Sequence, residues 1–382
     1  MNVLFITNSN PFSCGGGNYA SRAYLAALNT IFDGNIDIIL DNSCNIEPLH
    51  QKNEYIQVPE RTIIKKTIGL FSGEINRFNS FVTNYIKKSN KNKKYDLCVY
   101  SSSLVSNSIN YVKSKGIKII TIHHNFEVDY FNSLKKNLRW WSIRLTGEIK
   151  KTEYNAYKKS DINLFISKND MLKMRNMYGF ANHNSVIGCF ESRPVKSETG
   201  IFKFFDINEI SIVVSGSLVD DQTQDAVKYF LKDILPTIQM NTHIIITGRD
   251  PNKEIIDLCS KNPSITLVAN PKNIDEIIQK ADIYVSTTRL GSGLKLRIMD
   301  GMRNGLPILT HIVSAQGYDE FEKYVWFKKF STINEFNDGL NSLVKLLYEK
   351  KINKREIINS YKSHFSFEEG LKRVYNVINK TF

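Results

Sequence analysis

The sequence has few cysteines and no long hydrophobic run, and these absences argue against several classes of protein. Its five cysteines are scattered and form no Cys-x-x-Cys pair, which argues against a disulfide framework or a zinc site and favours a reducing cytosol. No apolar run reaches the roughly 18 residues that a membrane-spanning helix needs. The apolar opening, Met1–Ile6, is too short for the core of a secretory signal, so we interpret it as a buried strand.

The residues that are present suffice for two hydrophobic cores. The chain has 382 residues, of which 42% are apolar and 23% charged, and it includes 22 Phe and 18 Tyr. This composition is not that of a disordered or collagen-like protein. Since domains usually contain about 100–200 residues, the length favours two of them.

The net charge of +13 is concentrated in the first half of the chain. Residues 1–190 contain 25 Lys and Arg against 14 Asp and Glu, a net of +11, whereas residues 191–382 contain 26 against 24, a net of +2. This asymmetry favours an anionic partner for the first half, although solvated lysines in a lysine-rich composition explain it equally well. The stretch Leu134–Lys159 combines basic residues with Trp140 and Trp141, as a helix on an anionic membrane surface would; the alternative is that both Trp side chains lie in the core and the lysines are solvated. No nucleic-acid-binding motif accompanies it, so we expect no nucleic-acid partner.

Short apolar runs alternate with amphipathic, helix-forming stretches in both halves. The predicted strands cover 2–7, 36–40, 97–101, 117–122, 162–166, 185–187, 211–215, 243–247, 265–268, 283–286 and 307–310. Strands separated by helices predict right-handed crossovers and parallel sheets that are covered on both faces. The alternation stops between Gly188 and Asn208, where we place the domain boundary.

The sequence therefore predicts an α/β protein with two Rossmann-like, doubly wound domains that face a cleft. The first domain covers 1–188, a linker 189–208 and the second domain 209–365, and a final helix at 366–382 packs back on the first domain. Ligands of such sheets bind outside the carboxyl ends of the strands, so the cleft is the expected site.

The most informative segment runs from Thr288 to Pro307, where a predicted strand leads through a Gly-x-Gly turn into a helix. Gly291 and Gly293 let a ligand approach the backbone, and the helix start offers unpaired N–H groups. Arg289, Lys295 and Arg297 add three cations, so the segment suits a diphosphate. Asp300, two helical turns further on, is placed to accept hydrogen bonds from sugar hydroxyls. A plain strand–turn–helix with surface cations is the alternative.

This segment resembles the donor-site signature of the retaining GT-B glycosyltransferases that include many bacterial polysaccharide enzymes. The matching positions are Arg289, Gly291, Gly293, Arg297, Asp300 (in place of Glu), Met302, Gly305 and Pro307, with Gly301 in place of Ala. The turn Ser314–Asp319, with Gln316 and Gly317, is similar to a turn that lies beside the diphosphate in that family. Gly216 and Gly248 fall in segments similar to the first two strands and turns of the donor domain.

Two segments of the first half are expected at the same cleft. Gly15, Gly16 and Gly17 form a loop between a strand and a helix, and the resemblance implies that this loop faces the donor phosphates. His123 and His124 follow the predicted strand 117–122, and neighbouring residues in an extended chain point in opposite directions. We favour His124 as the residue near the transferred sugar, since His-Asn-x-Glu at this place resembles an element of related sugar transferases. Glu127 and Asp129 are weaker acidic candidates.

The resemblance implies a hexosyl- or N-acetylhexosaminyl-transferase of bacterial cell-surface glycan synthesis. The donor is a UDP- or GDP-linked sugar, the acceptor is a saccharide or lipid-linked, and the anomeric configuration is retained. Arg289 and Arg297 neutralise the leaving group in place of a metal ion, no cofactor is needed, and His124 completes the catalytic set. The expected location is the cytoplasm, with peripheral association with the inner face of the membrane.

Two departures from the family pattern keep alternatives open. Many relatives carry a Glu at the start of the glycine turn, whereas residues 289–293 contain no carboxylate, and Asp300 is one methylene shorter than the usual Glu. A non-catalytic sugar-nucleotide-binding subunit of a glycosyltransferase complex is one alternative. A sugar-nucleotide epimerase or a phosphorylase with the same fold is another.

Overall fold

The chain forms two compact units, and each is an α/β unit built on a parallel sheet. The computed structural model describes residues 1–13, 16–41, 46–59, 78–89, 94–134, 141–194, 209–290 and 294–382. One unit consists of Met1–Val195 with Ser366–Phe382, and the other is Lys196–Phe365. The second unit begins within the segment 189–208 that the sequence marks as a linker, most of which lies outside the described residues.

The first unit contains a seven-stranded sheet with helices between its strands. The strands are β1 Val3–Ile6, β2 Ile36–Asp41, β3 Glu54–Val58, β4 Leu97–Tyr100, β5 Lys118–His123, β6 Ile162–Phe165 and β7 Asn184–Val186. The helices are α1 Gly16–Ile31, α2 Phe78–Ser89, α3 Ile109–Ser114, α4 Glu127–Leu134, α5 Trp141–Lys159 and α6 Lys168–Tyr178. All neighbouring strands are parallel, in the order β3-β2-β1-β4-β5-β6-β7. The order reverses between β1 and β4, which is where such sheets bind ligands.

The second unit repeats this design with six strands. They are β8 Ile210–Ser217, β9 Thr242–Arg249, β10 Ile265–Ala269, β11 Ile283–Ser286, β12 Ile308–His311 and β13 Phe327–Phe330. The helices are α7 Asp221–Tyr229, α8 Lys253–Ser260, α9 Ile274–Ile278, α10 Arg297–Arg303, α11 Ile333–Tyr348 and α12 Lys354–Phe365. The parallel order is β10-β9-β8-β11-β12-β13, with its reversal between β8 and β11.

The central strands are apolar on both faces because helices cover both sides of each sheet. Every residue of β1, β4 and β11 is buried. The edge strand β3 is largely exposed or half-buried, as is common where one side of a strand has no neighbour. This burial pattern confirms the prediction of two doubly wound parallel sheets, since only such sheets bury short continuous apolar runs.

A last helix, α13 Phe367–Thr381, belongs to the first unit and packs on α1. Gly370 makes this contact close, because a Cβ at this residue would lie 2.0 Å from the ring of Phe190. Phe190 is fully buried and packs edge-to-face on Tyr24 of α1. The chain therefore returns to its first unit through a helix fitted to the core.

Three elements were not predicted. Strand β3 is polar and at an edge, β13 lies beyond the last predicted strand, and α4 begins just after the histidine pair. The two phenylalanines of β13 are buried and the two adjacent lysines between them are not, so the sequence lacks the alternation that is typical of a half-buried strand. Among the described residues, no helix is both long and apolar enough to cross a membrane.

Candidate active site

Polar side chains collect where β8 and β11 end in the second unit. Both strands lead into helices, α7 and α10, whose first residues lie close together at this end of the sheet. Arg297, the first residue of α10, donates a hydrogen bond to Thr223 Oγ1 of α7 over 2.8 Å and a long one of 3.5 Å to Thr288 Oγ1. Both hydroxyl partners are neutral and almost fully buried, so they orient the guanidinium without cancelling its charge.

Gly216 leaves the space that the guanidinium of Arg297 occupies. A Cβ at Gly216 would lie 2.6 Å from Arg297 Nη1, so a larger residue on β8 would displace the arginine. Gly248, its partner in the β8–β9 pairing, packs in the same way on the carbonyl oxygen of Gly216, only 1.8 Å from where a Cβ would be. The structure thus explains both glycines by backbone and side-chain packing, and their predicted contact with the donor stays a prediction.

Lys295 is a buried cation beside Arg297. Its side chain is 7% exposed, and Nζ lies 3.3 Å from Gln222 Oε1 at the start of α7. Burial, and secondly the positive charge of Arg297, lower the pKa of Lys295 to about 8. A cation that is both desolvated and repelled gains more from an arriving anion than a solvated lysine does.

Arg289 is directed elsewhere. It forms a two-pronged ion pair with Asp225 of α7, at 2.9 and 3.1 Å, and its guanidinium stacks 4.3 Å from the ring centre of Tyr229. The hydrogen bond to Asp225 raises the pKa of Arg289 further. Its charge is therefore partly cancelled by a carboxylate, in contrast to that of Arg297. The catalytic role predicted for Arg289 stays a prediction.

Asp300 also has a partner of its own. Its carboxylate accepts a hydrogen bond from Arg303 at 3.0 Å, and Arg303 pairs with Asp275 at 2.8 Å, so Asp300 belongs to an ion-pair network at the far end of α10. At the neighbouring position 301 a glycine is needed for steric reasons, because a Cβ on Gly301 would lie 2.5 Å from the ring of Tyr284. The ribose contact predicted for Asp300 remains untested.

The turn after β12 lies beside this cluster. Ser314 Oγ donates to the carbonyl of Thr288 at 2.7 Å, and Tyr318 donates to the carbonyl of Lys295 at 3.0 Å. Gly317 has a φ of 87° and sits against Leu294, while Gln316 is exposed. The predicted turn is therefore fastened next to Lys295. Gly291 and Gly293 lie outside the described residues.

In the first unit, the loops after β1, β4 and β5 bring their polar residues together. His124 Nε2 lies 3.3 Å from Ser101 Oγ, which in turn lies 2.9 Å from Ser21 Oγ of α1. A Cβ at Gly17 would lie 4.0 Å from His124 Nδ1 and 3.7 Å from Ser9 Oγ. The structure thus unites His124 with Gly17 of the glycine loop. Gly15 lies outside the described residues, and of Gly16 only the helical backbone is described.

The two histidines point in opposite directions, as predicted. His123 is buried, stacks on Phe165 at 4.7 Å and lies 2.9 Å from Asn163 Oδ1. His124 is only half-buried, but its surroundings lower its pKa to about 4 by desolvation, so the imidazole is neutral at pH 7. It can donate or accept a hydrogen bond there, but it carries no charge.

The acidic candidates beside the histidines have structural partners. Glu127 is 5% exposed, and its backbone N–H donates to Glu153 Oε1 at 2.7 Å. Burial, followed by the charge of Glu153, raises the pKa of Glu127 to about 8. Asp129 is paired with Lys173 at 2.8 Å. In the part of the chain that the structure describes, no group of three or more His, Cys, Asp or Glu side chains is placed to hold a metal ion.

Sequence reasoning missed the residues that hold the predicted cations and the imidazole in place. These are Gln222, Thr223, Thr288 and Ser101. Thr223 and Ser101 begin a helix or follow a strand at the carboxyl edge of a sheet, so a polar residue at such a position was an available signal. Small hydroxyl residues are too common at helix starts for that signal to be decisive.

Comparison with known proteins connects this geometry to a family. Residues 209–343 match the family model Glycosyl transferases group 1. The lipopolysaccharide outer core galactosyltransferase WaaB is similar over 100% of both chains, at 12% identity and a TM-score of 0.68. HepE of Anabaena, solved with UDP, is similar over 100% of both chains, at 11% identity and a TM-score of 0.70.

The chain has the fold of the GT-B glycosyltransferases, and residues 209–343 of its second unit match the group 1 family model. An uncharacterized 44.6 kDa protein in the cps region of Klebsiella pneumoniae is 22% identical, over 82% of this chain and 84% of that protein. The matched region 209–343 contains Arg297 with its two threonine partners, and Lys295 with Gln222. The resemblance drawn from residues 288–307 is therefore confirmed for the fold, and the segment lies inside the region that matches the family model.

Proposed function

We propose that this GT-B protein transfers a sugar from a nucleotide-sugar donor to a saccharide or lipid-linked acceptor in bacterial glycan synthesis. We propose further that the donor is UDP- or GDP-linked, that transfer proceeds with retention, and that it needs neither a metal ion nor another cofactor. The observation that carries the proposal is the pair of cations, Lys295 and Arg297, held at the strand reversal of a group 1 domain. The UDP bound to HepE supports a uridine diphosphate donor.

These cations suit the charge that develops during transfer. As the bond between the sugar and the diphosphate breaks, negative charge grows on the leaving phosphate. Arg297 is oriented by two neutral hydroxyls, and Lys295 is desolvated, so both can respond strongly to that charge. Donors fixed before the reaction lower the barrier because they need no reorganisation at the moment of bond cleavage. Arg297 and Lys295 would thus stabilise the leaving phosphate, as a bound metal ion does in other enzymes.

His124 has the properties of a neutral partner for sugar hydroxyls. Its low pKa excludes a charged imidazolium at pH 7, and Ser101 fixes the orientation of the ring. A neutral ring of this kind donates or accepts one hydrogen bond and does not compete with Lys295 and Arg297 for the phosphates. We therefore propose that His124 contacts the transferred sugar and not the leaving group.

A ligand-induced thermal shift tests the donor. UDP-, GDP-, ADP- and CMP-sugars are compared on the full chain, and we expect one nucleotide class to raise the melting temperature. Arg297→Ala should lose that shift together with transfer, whereas Arg355→Ala, an exposed arginine of α12, should keep both. Unchanged nucleotide binding and transfer in Arg297→Ala would contradict the proposed site.

A non-catalytic sugar-nucleotide-binding subunit is the second candidate. It is favoured by the turn 289–293, which contains no carboxylate, and by the ion pair between Arg289 and Asp225. Such a subunit should bind the nucleotide sugar and lose this binding in Arg297→Ala, but release no nucleotide in the presence of any acceptor. Nucleotide release with a purified acceptor supports the transferase, and product without an acceptor supports an epimerase.

We also propose that the first unit associates with an anionic membrane surface. Between residues 150 and 190 there are seven Lys and Arg but three Asp and Glu, and two of those acids, Glu153 and Asp170, are buried. Phe180 is 76% exposed beside Arg175, and Lys158 donates to its carbonyl oxygen. An exposed aromatic residue framed by cations suits a lipid interface. Trp140 and the side chain of Trp141 lie outside the described residues.

Vesicle sedimentation measures this association. The protein should bind to, and sediment with, vesicles of phosphatidylcholine that contain about 30% of the anionic lipid phosphatidylglycerol. It should not sediment with vesicles of phosphatidylcholine alone. Phe180→Ser should weaken the binding, while Phe382→Ser, which removes another exposed phenylalanine away from α6, should leave it unchanged. Equal binding to neutral and anionic vesicles contradicts the proposal.

A further inference from the structure

A cavity of about 580 Å³ lies along the flank of α1 in the first unit. Its walls are one face of α1 from Arg22 to Asp33, the segment 47–50, the segment 192–194, and two phenylalanines, Phe12 and Phe367. None of these residues belongs to the predicted donor or catalytic set. The volume is within the range of roughly 300–1,000 Å³ that small-molecule sites occupy.

One buried amide in the cavity wall lacks a partner. Asn29 is 5% exposed, and its Oδ1 accepts a hydrogen bond from Asn53 Nδ2 at 2.7 Å. Its own Nδ2 has no hydrogen-bond acceptor in the part of the chain that the structure describes. A buried donor without an acceptor costs about 1–3 kcal/mol, and the Nδ2 of Asn29 is enclosed behind the cavity surface, so Asn29 adds polarity to the wall but no accessible donor.

Charged groups of both signs line the same cavity. Glu47 and Arg193 are exposed, and neither has an ion-pair partner among residues 1–41, 46–59 and the other described segments. Asp33 is paired with Lys52. Arg22 donates hydrogen bonds to the carbonyl oxygens of Pro11 and Ser13 and so fixes the loop that carries Phe12. The wall near Phe12 is therefore held in place by the protein itself.

Apolar surface completes the lining. Phe12 packs edge-to-face on Tyr55 with ring centres 5.8 Å apart, which holds its ring in place. Pro48, Leu49, Pro194 and Phe367 contribute the remaining apolar wall. The cavity thus combines rings and aliphatic groups with an amide, a carboxylate and a guanidinium.

We propose that this cavity binds a saccharide, at a site separate from the strand-end cluster around His124. A sugar hydroxyl both donates and accepts hydrogen bonds, so one ligand can bind both Glu47 and Arg193, which are exposed in the cavity wall. The C–H faces of a sugar ring pack on Phe12 and Phe367. A nucleotide or other phosphate-bearing ligand would instead meet the carboxylates of Glu47 and Asp33.

Saturation-transfer NMR on the full chain tests this site. Maltotriose, lactose and diacetylchitobiose are the probes, each at millimolar concentration and with UDP in excess. We expect at least one sugar to receive saturation in the presence of UDP. Ala26→Trp, which fills the cavity from α1, should abolish the signal, and Arg193→Ala should weaken binding about tenfold through the lost charged hydrogen bond.

A matched variant outside the cavity and a separate measurement of nucleotide binding serve as controls. Glu47→Gln should weaken binding because the amide replaces a charged acceptor, while Glu54→Gln, an exposed acid on β3 outside the cavity, should leave it unchanged. Thermal shift by UDP is measured on every sample, so a failure of nucleotide binding is seen separately from a failure of sugar binding. The proposal is overturned if no sugar gives a signal, if the signal persists in Ala26→Trp, or if UDP displaces it.

Discussion

If Lys295 contacts the donor diphosphate as proposed, the affinity for nucleotide should fall as the pH rises. Burial and the charge of Arg297 lower its pKa to about 8, so the lysine loses its proton within a range where an ordinary lysine stays charged. An arriving diphosphate favours the charged form and raises this pKa again. Binding therefore takes up a proton above pH 8, and affinity for UDP should fall as the pH rises through that value.

The magnitude follows from the fraction of protonated lysine. With a pKa of about 8, Lys295 is about nine-tenths protonated at pH 7 and about one-tenth protonated at pH 9. If only the charged form binds the diphosphate well, the dissociation constant at pH 9 is about ten times that at pH 7. This corresponds to about 1.4 kcal/mol of binding free energy. An unperturbed lysine, with a pKa near 10.4, would give almost no change over the same range.

Isothermal titration of UDP between pH 7 and pH 9 measures the effect, with Lys295→Arg as the matched control. Arginine keeps its proton throughout this range, so the variant should show a flat profile whatever its affinity at pH 7. Titration of the nucleobase is common to both proteins and cancels in the comparison. A flat profile in the wild-type protein, or the same slope in both, would refute the assignment of Lys295 to the diphosphate.

Three further predictions concern stability. Gly370→Ala should cost about 1–3 kcal/mol and lower the melting temperature, because its Cβ would overlap the ring of Phe190, whereas Gly147→Ala on the open face of α5 should add about 0.5–1 kcal/mol. Burial raises the pKa of Glu127 to about 8 in the folded protein, whereas its unfolded value is about 4.5. The free energy of unfolding should therefore decrease as the pH rises from about 4.5 to 8, because the unfolded state then loses the proton that the folded state keeps. The melting temperature should therefore fall less between pH 5 and pH 8 in Glu127→Gln than in the wild type. Asp225→Asn removes a partly exposed ion pair and should change the stability by less than about 1 kcal/mol, as measured by urea denaturation.

The fold could be predicted where strands are buried on both faces. The predicted strands match β1, β2, β4 and β11 to within about one residue, because continuous apolar runs bounded by polar residues are a strong signal. Strand β3 was missed because it is an edge strand with polar residues exposed along it. Helix α4 was missed because the histidine pair and its acidic neighbours were interpreted as a site and not as a helix start.

The site could be predicted as a set of residues but not as a set of contacts. The sequence placed Arg289, Lys295 and Arg297 in one segment and gave Arg289 and Arg297 the same role. The structure gives them different partners: Arg289 forms an ion pair with Asp225, whereas Arg297 donates hydrogen bonds to threonine hydroxyls. That difference depends on the side of α7 that faces β11, and the residues of α7 lie more than 60 positions away in the sequence. No local pattern contains this information.

The same separation changes how the missing acid of the glycine turn is to be understood. A turn that lacks a carboxylate leaves its cations without a local counter-charge, and an unpaired cluster of three cations would be costly to bury. In this chain, Asp225 forms an ion pair with Arg289, the most exposed of the three, while burial lowers the pKa of Lys295. At pH 7 Lys295 is still mostly charged, and we expect the proposed diphosphate to offset the cost of burying that charge. A donor site built in this way should bind its nucleotide most tightly where Lys295 is still charged, below pH 8.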